Sequence, residues 1–232
     1  VMQQELSIGM IFAYGAYKMQ FSSRISALVD LYFQLRMLTI QRERLADIVL
    51  SKPEPSGGSG MPGTTPPDIE VRKLRFRYSD NEPWVLDGIT FKVNAGEAVA
   101  IVGPSGCGKT TLLKILLGLL QPTEGQVFVM GQPLNAIGLS AWRDSLGAVM
   151  QDDQLFAGTI AENIAFFAPN IDLQRVKECA QLAAVESDIL AMPMTWQTLI
   201  GDMGAALSGG QKQRLLLARA LYKQPSILLL DE

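Results

Sequence analysis

The eight residues GPSGCGKT at positions 103–110 constrain this chain more than any other segment. They fit the pattern G-x-x-x-x-G-K-[ST], whose glycines let the backbone wrap around phosphate oxygens and aim successive N–H groups at them. The apolar run AVAIV at 98–102 precedes them and predicts a buried strand. Residues 109–120 follow with helical spacing and predict a helix whose positive dipole end faces the loop. Strand, loop and helix together predict a phosphate-binding loop; a plain glycine turn before an ordinary helix is the alternative.

Two side chains at the end of this loop carry its chemistry. Lys109 is predicted to bridge the β- and γ-phosphates of a nucleotide. The hydroxyl of Thr110 is predicted to ligate the Mg²⁺ ion that accompanies those phosphates. The loop therefore predicts a nucleotide site rather than a general anion site.

A second nucleotide motif is the sequence ILLLDE at 227–232. Four apolar residues predict a buried strand, and two carboxylates emerge at its carboxyl end, where open α/β sheets place their ligands. Asp231 is predicted to hold the Mg²⁺ shell, and Glu232 to polarise the attacking water as a general base. A core strand followed by surface acids is the alternative.

The segment LSGGQ at 207–211 allows two interpretations. Ser208 with Gln211 three residues later forms a capping box that opens a helix. The same geometry, with Gly209 and Gly210 beside it, also makes an anion site at a helix N-terminus. Capping alone does not require the two glycines, which weaken a first helical turn, so their presence favours phosphate binding.

Composition excludes several classes of function. The chain has 20 basic and 23 acidic residues and a net charge of −3, so nothing in its overall charge supports nucleic-acid binding. Its two cysteines, Cys107 and Cys179, are too few for a disulfide framework or a metal cluster. A hydrophobic content of 48% is ample for a sizeable core.

The N-terminal part predicts a long helix. The apolar stretch at 6–17 is shorter than the roughly 20 residues that span a bilayer. Beyond it, apolar residues keep a three-four spacing that predicts a seam for packing against partner helices, at Leu28, Leu31, Leu35, Leu38, Leu45 and Val49. Basic residues outnumber acidic ones, which is typical of a cytoplasmic flank. A partly transmembrane helix and a soluble amphipathic helix both remain open.

A segment rich in Pro, Gly, Ser and Thr separates this helix from the remainder of the chain. It predicts a linker with no means of making a core. The expected domains are therefore a helical part at 1–50, a linker at 51–68 and a nucleotide-binding domain at 69–232. Strands alternating with helices in that domain predict an α/β core with a largely parallel sheet, and residues 159–207 predict an inserted helical subdomain.

GPSGCGKT, LSGGQKQR and ILLLDE, in this order, resemble the nucleotide-binding domain of an ABC transporter over residues 69–232. The resemblance implies ATP and Mg²⁺ as cofactors, Tyr78 stacking on adenine, and Gln151 touching Mg²⁺ and water while coupling to the membrane domain. The residues implied to contact nucleotide are Tyr78, Gly103, Pro104, Ser105, Gly106, Cys107, Gly108, Lys109, Thr110, Thr111, Ser208, Gly209, Gly210 and Gln211. Those implied for catalysis are Lys109, Gln151 and Glu232, and those for Mg²⁺ are Thr110, Gln151 and Asp231.

Within that family, the segment QDDQLFAGTIAEN at 151–163 is similar to exporters rather than importers. RLADI at 44–48 and TLIGDMG at 198–204 look like the bacteriocin and colicin V exporters, which carry a peptidase that removes double-glycine leaders. The implied partners are a second copy meeting head to tail, a transmembrane domain and a peptide substrate. The implied location is a bacterial inner membrane with the ATPase domain in the cytoplasm.

Two other functions remain open from the sequence. One is an exporter of lipid or drug, and the other is a nucleotide-binding module without turnover. Family members carry a switch histidine downstream of the ILLLDE motif, and this chain has no histidine. These 232 residues are therefore expected, as an internal fragment of a longer exporter, to bind Mg-ATP and to hydrolyse little of it alone.

Overall fold

A computed structural model describes residues 8–51, 53–54, 57–61, 66–201 and 207–231. The chain divides into two compact units, 1–54 and 55–232. Leu6, Glu232 and the segment 202–204, which the sequence analysis singled out, lie outside the described residues.

The first unit is a single helix, α1, over Ile8–Val49. Its 42 residues correspond to a length of about 63 Å at 1.5 Å per residue. The predicted long helix is therefore present, and none of its residues is buried. In the described part of the chain, no helix is both long enough and apolar enough to cross a membrane.

The second unit contains a four-stranded antiparallel sheet in the order β2-β1-β3-β4. Its strands are β1 (Ile69–Phe76), β2 (Leu86–Val93), β3 (Glu124–Val129) and β4 (Gln132–Pro133). β1 alternates buried and less buried residues on both sides of an irregularity at 72–73, which brings Val71 and Leu74, both fully inaccessible, onto the same core-facing side. A turn in which the Glu82 amide donates to the Ser79 carbonyl at 3.0 Å joins β1 to β2, and this short connection makes their pairing antiparallel.

Helix α2 (Lys109–Leu116) shares one hydrophobic core with this sheet and with α3 (Leu134–Ile137) and α4 (Leu139–Asp144). The indole N–H of Trp142, which is fully buried, donates to the Leu116 carbonyl at 2.6 Å. The Arg143 guanidinium donates to the Gly118 carbonyl at 2.7 Å. These two side chains fix the carboxyl end of α2, because they pair the carbonyl of its last residue, Leu116, and that of Gly118 just beyond it.

The prediction of a largely parallel sheet is wrong for the described strands. Only β5 (Leu146–Val149) and β8 (Ile227–Leu230) pair in parallel, as a separate two-stranded sheet. The run 98–102, predicted as a buried strand, is irregular, and its Val102 side chain is 88% exposed. A strand needs a neighbour for its N–H and C=O groups, and no described strand pairs with this run.

Residues 158–200 form the predicted helical subdomain, hereafter the arm. It comprises β6 (Gly158–Thr159), α5 (Ile160–Ile164), α6 (Leu173–Leu182), α7 (Glu186–Leu190), the 3₁₀ turn Thr195–Gln197 and β7 (Leu199–Ile200). Its own hydrophobic core is closed by one face of α8 (Gly209–Tyr222). Asp172 and Thr159 cap the amino ends of α6 and α5 with their side chains, as the sequence favours.

Part of the predicted linker packs on the nucleotide-binding domain instead of remaining a free tether. We call residues 57–61 the strap. Its Ser59 and Gly60 amides donate to the carbonyls of Ala136 and Ile137 at 2.9 and 3.1 Å, and the Met61 side chain packs against the main core. Gly58 has a φ of +147°, and a Cβ there would overlap the Ile137 carbonyl oxygen. The strap therefore depends on glycine for its close backbone approach.

Replacing Gly58 by alanine is expected to detach the strap, because the added methyl cannot share space with the Ile137 carbonyl. Hydrogen exchange at the Ser59 and Gly60 amides should then accelerate about tenfold, with little change in global melting temperature. Gly57→Ala is the matched control, since Gly57 also has a positive φ, +124°, but nothing lies within 4 Å of its Cβ position. Equal exchange rates in the two variants would contradict a packed strap.

Candidate nucleotide site

The loop at 103–110 turns into α2 through a glycine that no other residue can replace. Gly108 is the N-cap of α2 with φ +96°, in the left-handed region. A Cβ on it would lie 2.7 Å from Leu86 Cδ2 and 3.1 Å from the Val85 carbonyl oxygen. Both the backbone handedness and the contact with the start of β2 require glycine here.

The Lys109 side chain folds back over the loop. Its Nζ donates to the carbonyls of Gly103 and Pro104 at 2.8 and 3.0 Å, and lies 4.0 Å from Cys107 Sγ. These contacts hold the ammonium group over the concave side of the loop. A phosphate that enters the loop would offer this cation a stronger, charge-assisted partner than neutral carbonyls.

Tyr78 lies beside the same loop. Its ring is 57% exposed and meets Phe76 edge to face, with centroids 4.9 Å apart. Its hydroxyl is hydrogen bonded to Thr111 Oγ1 at 3.1 Å, which ties the ring to the first turn of α2. An aromatic face fixed next to a phosphate loop is suited to stacking on a nucleotide base.

Gln151 and Asp231 meet at the carboxyl ends of the parallel pair. Val149 is in register with Leu230, and the Asp231 amide donates to the Val149 carbonyl at 2.8 Å. Asp231 Oδ2 is buried and has no hydrogen-bond partner among the described residues. Asp231 lines the same cleft as Thr110 and Gln151, and an unpaired carboxylate oxygen with a hydroxyl and an amide oxygen fits Mg²⁺, which prefers oxygen ligands.

These elements enclose a cleft of ≈ 620 Å³. The predicted residues that line it are Tyr78, Gly103, Ser105, Gly106, Gly108, Lys109, Thr110, Thr111, Gln151 and Asp231. Pro104 and Cys107 belong to the same loop but do not line the cleft. Sequence reasoning missed three apolar wall residues, Val85, Ile101 and Val102. Their only signal was their position next to the motifs, which does not distinguish a wall residue from a core residue.

The segment LSGGQ stands apart from this cleft. Ser208 caps α8, with both bonds of the predicted capping box present: Ser208 N–H to Gln211 Oε1 at 2.9 Å and Gln211 N–H to Ser208 Oγ at 3.3 Å. Ser208, Gly209 and Gly210 are exposed, and neither they nor Gln211 lines the cleft that contains Lys109. The two halves of the predicted phosphate site therefore do not meet within the described part of one chain.

A half-buried arginine fastens the segment after Gln151 to α8. The Arg219 guanidinium donates to the carbonyls of Gln154 and Asn163 at 3.0 and 2.9 Å and to Asn163 Oδ1 at 2.7 Å. Burial lowers the pKa of Arg219, because desolvation disfavours the charged form. Arg219 of α8 thus connects Asn163 of the arm to Gln154 in the segment after Gln151.

Gly108→Ala is expected to weaken ATP binding at least tenfold. The methyl would push the loop away from Val85 and Leu86, and the left-handed backbone adds a cost of about 1–2 kcal/mol. Gly96→Ala is the control, because Gly96 also has a positive φ, +76°, but its Cβ position is open. Calorimetric titration with Mg-ATP measures the effect; equal affinities for the two variants would show that the close contact is unimportant.

Known proteins share this sequence and fold. The chain is 42% identical to the probable microcin-H47 secretion/processing ATP-binding protein of Escherichia coli, over 100% of this chain and 34% of that protein. It is 41% identical to the colicin V secretion/processing ATP-binding protein of the same species, with the same coverage. The leukotoxin translocation ATP-binding protein of Mannheimia glucosida is 35% identical over 100% of this chain and 33% of its own length. The chain thus spans about a third of these relatives.

A solved structure described as a bacterial Atm1-family ABC exporter with ATP bound matches with a TM-score of 0.75 and 32% identity, covering 99% of this chain and 41% of that one. The family model described as ABC transporter matches residues 86–232, more than half of the chain. The chain therefore belongs to the ABC transporter family and contains its ATP-binding domain.

Proposed function

We propose that this chain is the ATP-hydrolysing part of a bacterial membrane exporter of peptides. The observation that carries the proposal is the cleft that Tyr78, Lys109, Thr110 and Asp231 line together, in a chain of the ABC transporter family. In this proposal residues 1–50 end the transmembrane domain, residues 51–68 link it to the ATPase, and residues 69–232 form the ATP-binding domain.

Nucleotide binding follows from the lining groups. Tyr78 would stack on adenine, and the amides of Gly103, Ser105, Gly106 and Gly108 would surround the phosphates at the dipole end of α2. Lys109 would exchange its bonds to the Gly103 and Pro104 carbonyls for bonds to the β- and γ-phosphates. Each step uses groups that already line one cleft.

Hydrolysis requires a positioned water and a cation. Thr110, Gln151 and Asp231 would hold Mg²⁺, which neutralises charge that develops on the phosphates. Glu232, next in sequence to Asp231, would accept a proton from the attacking water, and Gln151 would orient that water. Glu232 lies outside the described residues, so its role rests on its place in the motif.

A second copy is needed to complete the site. Ser208, Gly209 and Gly210 are exposed and do not line the cleft, yet a capped helix N-terminus with two glycines suits a phosphate. Two copies meeting head to tail would bring Ser208 and Gly210 of one to the γ-phosphate that Lys109 of the other holds. ATP would then act as the bridge that closes the dimer.

Glu232→Gln in the full-length protein is expected to retain ATP and to trap this dimer, because the general base is lost while phosphate binding is kept. Light scattering in detergent with Mg-ATP measures the assembly, with the double variant Lys109→Ala, Glu232→Gln as the control that cannot hold the phosphates. A Glu232→Gln protein that stays monomeric with ATP would refute the shared site.

The proposed cargo is a peptide with a double-glycine leader. Support comes from relatives whose names specify microcin H47 and colicin V secretion and processing, and from the stretches RLADI and TLIGDMG. The relative named for leukotoxin translocation, which is less identical, also has a toxin as its cargo. Dimer closure would act on α1 and switch access to a central path, which the polar residues Lys18, Arg24 and Asp30 would line.

The full-length protein should show ATPase activity that rises several-fold with a precursor peptide whose leader ends in Gly-Gly or Gly-Ala. Lys109→Ala should abolish both basal and stimulated rates, which excludes contaminating ATPases. The same precursor with its Gly-Gly replaced by bulky residues is the matched peptide control. Stimulation by lipids or hydrophobic drugs alone would move the assignment to the lipid or drug exporters, and binding without any turnover would favour a nucleotide-binding module.

A further inference from the structure

We propose that Asp188, on α7 of the arm, is a positioning residue that fixes the phosphate-facing geometry of the segment LSGGQ through Gln211 and Arg214. This inference rests on the proposed function, since it concerns the same shared ATP site. It adds Asp188, which no sequence motif singles out, and it gives a role to Arg214, the last residue of the stretch LSGGQKQR.

The first contact orients the Gln211 amide. Gln211 Oε1 accepts from the Ser208 N–H at 2.9 Å, and its Nε2 donates to Asp188 Oδ1 at 3.2 Å. A glutamine amide has an acceptor on one side and a donor on the other, and an ionised carboxylate can only accept. Asp188 therefore draws the NH₂ side of the amide, which leaves Oε1 facing Ser208. Without this acceptor the amide can flip and present a donor to a donor.

The second contact fixes the Arg214 guanidinium beside Gly210. Arg214 Nη2 donates to Asp188 Oδ2 at 2.8 Å, so the two oxygens of this carboxylate accept from two residues of α8. A Cβ on Gly210 would lie 3.4 Å from Arg214 Nη1, so the guanidinium lies against the first turn of the helix. The ion pair with Asp188 thereby keeps the Arg214 guanidinium in place beside Gly210, which is proposed to face the γ-phosphate.

Asp188 is suited to this role because its carboxyl is ionised and its helix is anchored in the core of the arm. Its hydrogen bonds from Arg214 and then Gln211 hold the pKa of this carboxyl below its usual range, so it remains ionised at neutral pH. The next residue, Ile189, is fully buried in the core of the arm and anchors α7. The Asp188 side chain is 29% exposed and that of Arg214 is 39% exposed. An ion pair with this exposure contributes little to folding stability, so its effect should appear in function instead.

The test compares Asp188→Ala with Glu178→Ala in the full-length protein. Glu178, on α6, is the matched control, because its carboxylate is exposed and accepts from the Gln174 amide of its own helix at 3.2 Å. Asp188→Ala should lower kcat for ATP about tenfold while the affinity of the Lys109 loop for ATP and the melting temperature stay unchanged. Asp188→Glu should restore part of the rate, and Glu178→Ala should resemble the wild type in every measurement.

Hydrogen exchange over residues 207–212, measured without nucleotide, reads the positioning directly. Asp188→Ala should increase exchange at the Ser208 and Gln211 amides, which the capping box protects. This readout needs no turnover, so it stands even if the wild type proves inactive and the proposed function fails. Unchanged exchange, or increased exchange with an unchanged kcat, would overturn the inference. If the alanine variant does not fold, Asp188→Asn keeps the shape and removes one acceptor, and the same criteria apply.

Discussion

The burial of α2 fixes the position of the side chains that its first turn presents to the cleft. Leu112, Leu113, Ile115 and Leu116 lie in the main core, and the carbonyl of Leu116 is tied to Trp142. With its carboxyl end fixed, the helix cannot slide, and its first turn presents Lys109, Thr110 and Thr111 to the cleft. Thr111 is itself buried and bonded to Tyr78, so the aromatic ring and the loop share one rigid support. A preorganised site of this kind loses little entropy when a ligand binds.

The register of the parallel pair β5–β8 places Gln151 and Asp231, which line the other wall of the cleft. Because Val149 faces Leu230 across the ladder, Gln151 and Asp231 emerge at the same edge of the small sheet. A slip of one residue would turn Asp231 to the opposite face and remove the orphaned carboxylate from the cleft. The position of this carboxylate thus depends on pairing between residues that are 81 apart in sequence, such as Leu146 with Ile227 and Val149 with Leu230.

Sequence reasoning recovered what depends on local patterns. The loop motif, the capping box at Ser208, the long helix and the helical arm all follow from spacing and residue type, and the structure contains them. Sequence reasoning was wrong where a strand depends on a hydrogen-bonded neighbour. The apolar run 98–102 has the composition of a strand, but no described strand pairs with it. Residues 57–61 have the composition of a linker, yet Gly58 permits a backbone approach that composition does not encode. Asp188 and Gln211 are likewise brought together by the fold of the arm, since 23 residues separate them.

The three tryptophans lie in three different parts of the ATP-binding domain. The Trp84 ring stacks on the guanidinium of Arg77, the residue before Tyr78. Trp142 is fully buried beside α2, and Trp196 packs against the core of the arm. Indole emission depends on solvent exposure and on nearby charge, so each ring would emit differently. Variants that keep one tryptophan and replace the others with phenylalanine would turn the chain into three optical reporters. Nucleotide-induced motion could then be assigned to the connection between β1 and β2, to the end of α2 or to the arm, without attaching a dye.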